Sequence, residues 1–166
     1  MEVSLSDGML EPVDRLLIHC KPTLNPVLSP YIMDLTGISQ RDIDTKGLSF
    51  AEFSDKLWQF TDRGRLPMFS WGRTDDSVLR ENYYLNGMEW PAFTGGFHDM
   101  RQVFIAHGID ATSFYSGEIS RHFGVIPEGQ IHDAMHDALS IFEALKALFV
   151  NKPMPDLHHL RSVCGE

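Results

Sequence analysis

The 166-residue sequence carries a formal charge of −9, with 43% hydrophobic and 22% charged residues, enough to bury a core without disulfide staples. That acidity leaves no basis for long-range attraction to a polyanion, so any nucleic acid would be handled in a local cleft with divalent cations offsetting the carboxylates. Cys20 and Cys164 form no CxxC pair, which argues against a zinc ribbon or a disulfide framework and for reduced thiols in a cytoplasm. No stretch approaches the ~18 apolar residues of a membrane span, and the start lacks the layout of a signal peptide.

The first element is a hairpin. "MEVSLSDGML" reads as a strand entering a tight turn at Asp7-Gly8, and "VDRLLIHCKP" as the returning strand, stopped by Pro22. A proline-punctuated connection follows, with one helical turn around Tyr31 to Leu35 and a turn at Gly37. In "SFAEFSDKLWQF", Ser49 and Glu52 make a capping box ahead of Phe50, Phe53, Leu57 and Phe60 on one helical face. "LPMFSW" reads as a short buried strand and "DDSVLRENYYL" as a helix begun by an aspartate. "FHDMRQVFIAHG" and "SGEISRHFG" read as helices closed by Gly108 and Gly124. The last long helix, about 133–149, aligns Met135, Ala138, Phe142, Leu145 and Phe149 on its buried face. After Pro153 and Pro155 the tail is expected to pack loosely or extend. Strands mixed with helices in this order imply an α/β domain over residues 1–152, with residues 153–166 as a tail.

Titratable residues crowd the start of the last helix, in "IHDAMHDA" (131–138). Asp137 lies where the helix dipole favours a carboxylate. On a continuous helix His132 would point about 140° away from it. The two can converge only if His132 sits in the loop before the helix, which the nearby Gly129 permits. Asp75, in "SWGRTDD", sits at the carboxyl end of a strand, the usual ligand position in α/β sheets, although an aspartate before a helix also serves as an N-cap. His132 and His136 stand four apart, a spacing that can grip zinc from one helical face. No glutamate follows His132, and the strands argue against an all-helical His-Asp phosphohydrolase; His136 is expected on the helix surface.

Together, "KPTLNPVLSPYIMDLTGISQRDID", "SWGRTD" and "HDAMHDA" resemble the DEDDh branch of the DnaQ-like 3′–5′ exonucleases, of ribonuclease-H-like fold, over roughly residues 1–150. The resemblance implies a mixed sheet flanked by helices. It implies Asp137 and Asp75 as metal carboxylates for two Mg²⁺ or Mn²⁺ ions that clamp the scissile phosphate. It implies His132 as general base, a role that suits an imidazole because this group changes charge near neutral pH. Leu35, Thr36, Gly37 and Ile38 would help form the floor for the terminal nucleotide. The three catalytic residues, Asp75, His132 and Asp137, are expected in one cleft, acting on single-stranded RNA or DNA 3′ ends.

One departure stands out. The family's first motif is Asp-x-Glu on the first strand, and the 166 residues contain none; Glu2, Asp7, Glu11 and Asp14 lie on or around the hairpin instead. The expectation is a domain without its first strand and with impaired catalysis, Met1 being an internal start or the chain a degenerate relative. The alternative is a catalytically inactive module that keeps the fold to bind nucleic acid or protein.

Overall fold

The computed structural model describes residues 1–165. It contains α-helices and two small sheets, and the chain falls into two compact units, Ile18–His98 and Met1–Leu17 together with the chain from Asp99 on.

In the second of these, β1 (Glu2–Ser6) and β2 (Met9–Asp14) form the antiparallel hairpin, with Leu5 opposite Leu10. Asp7 and Gly8 turn it at φ 52° and 72°, the positive values that a two-residue hairpin turn demands. The returning strand ends at Asp14 rather than continuing to Pro22. Pro12, within it, has no amide to give a further neighbour.

The unit Ile18–His98 opens with a parallel bridge between Cys20 and Leu48. Helix α1 (Pro30–Thr36) starts on the Ser29 hydroxyl with proline in its first turn, and stops at Gly37 in the left-handed region. Helix α2 (Gln40–Lys46) is capped by Ser39. The Ser49–Glu52 capping box starts α3 (Phe50–Phe60) as its sequence requires. Then come β3 (Met68–Ser70), α4 (Thr74–Leu85) and β4 (Phe97–Asp99), with β3 paired to β4. An aromatic core holds these elements together. Tyr83 is 1% exposed, meets Phe50 edge-on at 5.0 Å and Trp90 at 5.3 Å, and its hydroxyl bonds Ser54 at 2.6 Å.

Residues 97–99 are strand, not the start of a helix; α5 spans only Arg101–Ala106. The apolar spacing of that segment fits a helix, but pairing with β3 and burial of His98 and Asp99 override local preference. "SGEISRHFG" likewise gives a 3-10 turn, Ile119–Phe123, closed by Gly124 at φ 75°. Against that turn packs α6 (Ala134–Leu148), joined to it where the Ser140 hydroxyl donates to the Ser120 hydroxyl at 3.0 Å. The tail does not extend. It forms α7 (Leu157–Cys164), begun by the Asp156 side chain and packed on α5 through buried Leu160 and Cys164. Its apolar positions at i and i+3/i+4 find a face to cover, which outweighs the two prolines before it. No helix among the described residues is long and apolar enough to cross a membrane.

Candidate active site

Asp133 begins α6. Its carboxylate accepts the amides of Met135 and His136, each at 2.9 Å, so two of the four unsatisfied donors of the helix start are satisfied. His132, just outside the helix, adopts φ 73°, a left-handed conformation uncommon for a residue with a side chain. The loop position expected for it is therefore the observed one. The turn brings its backbone amide to Asp137 Oδ1, 3.1 Å away, so His132 and Asp137 do come together across the H-x4-D spacing. The other carboxylate oxygen of Asp137 accepts from the Ser116 hydroxyl at 2.7 Å. The His132 ring meets Tyr115 edge-on at 5.5 Å.

His136 is not on the surface. It is 3% exposed, with Nδ1 3.0 Å from the Glu128 carbonyl and Nε2 3.1 Å from the Gly117 carbonyl. The helical wheel turns this position toward the segment 115–117, which local periodicity could not reveal. Both ring nitrogens are committed to backbone, which also removes the zinc-gripping role its spacing permits. Gly117 makes the approach possible. A Cβ there would sit far inside contact distance of Asp137 Oδ1 and 3.1 Å from His136 Cδ2. Ser116 and Gly117 carried no signal in the sequence, because their partners are about twenty residues away.

In the other unit, Asp75 lies in the first turn of α4. The helix is preceded by Arg73 with no side-chain cap, so Asp75 is not the N-cap. The residue is exposed, yet the protein packed around one side of the carboxyl raises its pKa above the ordinary value. The neighbouring Asp76 charge adds to that effect and a hydrogen bond from Ser70 opposes it. Asp76 is drawn instead to Arg80, 3.6 Å away, whose guanidinium lies 4.1 Å over the Trp90 ring. A carboxyl destabilised by burial and a like charge gains from any cation that reaches it.

Of the four residues expected at the nucleotide floor, Thr36 ends α1 with its hydroxyl donating to the Ile32 carbonyl at 2.8 Å, and Gly37 is the left-handed cap. Leu35 is half-buried on the same helix. Ile38 lines an apolar cavity of about 220 Å³ together with Ile18, Leu28, Ile32 and Ile43.

An exonuclease family model, RNase_T, matches residues 2–145. The chain belongs to the exonuclease family. This exonuclease-family chain is 25% identical over 150 residues to "Probable 3′-5′ exonuclease KapD" of Bacillus subtilis (strain 168), covering 87% of this chain and 72% of that protein. It is 24% identical over 159 residues to the 3′–5′ exonuclease crn-4 of Caenorhabditis elegans, covering 89% of this chain but 53% of the nematode protein. Its fold matches the nuclease domain of 3′hExo, a DEDDh family member solved with rAMP, at a TM-score of 0.69. That match has 17% identity over 82% of this chain and 72% of that one. The fold is therefore that of the ribonuclease-H-like exonuclease domains, mixed α/β as its element order implies.

DEDDh enzymes use divalent metals, and the donor set here can be compared with that requirement. Both oxygens of Asp137 are already bonded to protein donors. Among the described residues no group of three or more His, Cys, Asp and Glu could hold a metal ion. These residues alone do not fit a pair of divalent ions.

Proposed function

We propose that this chain is a 3′–5′ exonuclease domain for single-stranded RNA or DNA ends, with little or no activity in its 166-residue form. His132, Asp137 and Asp75 are its catalytic residues. The observation that carries the reading is the pairing of His132 with Asp137 over four intervening residues, within a chain of the exonuclease family. His132 in the loop is held to Asp137 on the helix through its backbone amide, and supplies the imidazole that hydrolysis of a phosphodiester uses as a base. A water oxygen bonds the phosphorus while the bond from phosphorus to the 3′ oxygen of the preceding nucleotide breaks. His132 takes the proton of the water, the departing oxygen gains one, and a nucleoside 5′-monophosphate leaves. Leu35, Thr36, Gly37 and Ile38 serve as the floor for the terminal nucleotide, and the apolar cavity at Ile38 supports that placement. A relative of similar fold holding rAMP agrees with a nucleotide ligand.

Mg²⁺ or Mn²⁺ is the expected cofactor. The family balances two ions with four carboxylates, and this chain contributes Asp75 and Asp137 but no Asp-x-Glu. Loss of shared ligands acts non-additively, so activity of the 166-residue form should be near zero rather than halved. The engagement of both Asp137 oxygens by protein donors favours a second reading, a nucleic-acid- or protein-binding module that has kept the fold.

The test incubates a 5′-labelled single strand with Mg²⁺ or Mn²⁺ and the 166-residue chain, beside a form carrying an added N-terminal strand with Asp-x-Glu. Stepwise shortening by the longer form, lost in Asp137→Ala and His132→Ala, is the expected result. No shortening by either form would leave the binding module. Robust shortening by the 166-residue form, abolished by Asp137→Ala, would mean that another carboxylate replaces the first motif.

A further inference from the structure

We infer that Ser116 is a positioning residue for His132, acting through Asp137. The inference deepens the proposed role of His132 and rests on it. The chain of contacts is short. The Ser116 hydroxyl donates to Asp137 Oδ2 at 2.7 Å, and Asp137 Oδ1 accepts the His132 amide at 3.1 Å.

His132 needs such a hold. At φ 73° a residue with a Cβ lies outside its preferred backbone regions and relaxes unless its surroundings fix it. A carboxylate turns readily about its last bond, because that torsion is broad and two-fold. Pinned at one oxygen by Ser116, the Asp137 carboxylate presents the other to the His132 amide in one orientation. Released there, it can swing, and the amide loses its acceptor.

The neighbouring residues make the hold specific to this segment. Gly117 lacks the Cβ that would collide with Asp137 Oδ1, so residue 116 can come close. Its carbonyl faces His136 Nε2 at 3.1 Å, which ties the segment to α6 independently of Ser116. Tyr115 is 64% exposed, with its ring set edge-on to the His132 imidazole. The run Tyr115-Ser116-Gly117 thus touches His132, Asp137 and His136 in turn. Because His136 anchors the segment on its own, removing the Ser116 hydroxyl is expected to free the His132 turn while α6 stays in place.

The experiment reads the position of His132 without substrate, by NMR on the isotopically labelled full chain. In the unsubstituted protein the His132 amide should be protected from hydrogen exchange, and the His132 and Tyr115 rings should show a mutual NOE. Ser116→Ala should lower that protection roughly tenfold, the worth of one hydrogen bond to a charged acceptor, and weaken the NOE. Exchange of the α6 amides should stay unchanged, and Ser116→Thr, which keeps the hydroxyl, should restore both signals. Full protection and an intact NOE in Ser116→Ala would overturn the inference. So would an equal loss across all α6 amides, which marks a merely structural role, or no recovery in Ser116→Thr. If Ser116→Ala fails to fold, an unprotected His132 amide in the unsubstituted chain still refutes it. Absence of strand shortening by both the 166-residue chain and the form with the added Asp-x-Glu strand sinks the exonuclease reading but moves none of these signals.

Discussion

Replacing Gly117 by alanine tests how tightly the segment before the 3-10 turn closes on α6. The added methyl would fall well under 3.0 Å from Asp137 Oδ1, and 3.1 Å and 3.2 Å from His136 Cδ2 and Ile131 Cγ2. Two of these neighbours are fixed: His136 by carbonyls on both ring nitrogens, Asp137 by Ser116 and the His132 amide. Restoring ordinary contact therefore requires the carboxylate or the segment to retreat by on the order of 1 Å. A shift of that size lengthens the Ser116 or the His132 bond beyond useful range. Overpacking alone costs about 1–3 kcal/mol. Losing a hydrogen bond to a charged acceptor costs about 1.5–3 kcal/mol, but the two are alternatives as much as additions, since yielding one relieves the other. The expected loss is about 2–3 kcal/mol. For a chain of this size that lowers Tm by roughly 4–12 °C. Urea unfolding followed by circular dichroism gives the difference directly, read from the midpoint at unchanged slope. A loss within about 0.5 kcal/mol of zero, the range of an ordinary surface substitution, would refute the close packing on which the site description rests.

Asp75 has a folded-state pKa raised by burial, so its protonated form is favoured by folding. Its stabilising contribution is present below the unfolded value and is lost as pH rises through the raised one; Asp75→Asn should therefore gain on the parent between pH 3 and pH 7, and urea midpoints that move in parallel would contradict this. Cys164 is 2% exposed and its thiol is pushed up to about 11, by burial first and then by the charge of Asp99. A thiol-reactive disulfide reagent at pH 8 should modify Cys20 well before Cys164 in the folded protein, and equal rates would refute the burial of Cys164. Asp133→Ala removes the acceptor for two amides of α6 and should cost about 1 kcal/mol in urea unfolding, whereas no change would show that the cap is dispensable.

Local chemistry was enough for the elements that depend on neighbours in sequence. Asp7-Gly8 dictates the hairpin turn, Ser49 with Glu52 starts α3, and Gly37 ends α1, since each works through bonds spanning only a few residues. The H-x4-D spacing likewise required His132 to leave the helix, and its left-handed backbone is how the chain meets that requirement. Elements that depend on distant partners could not be read this way. Residues 97–99 have helical spacing but become strand because β3 offers them hydrogen bonds, and α7 forms because α5 presents an apolar face to Leu160 and Cys164. The burial of His136 and the hold of Ser116 on Asp137 belong to the same class. A hydroxyl and a carboxylate twenty-one positions apart leave no periodic trace, and only the folding of residues 115–117 against α6 brings them to 2.7 Å.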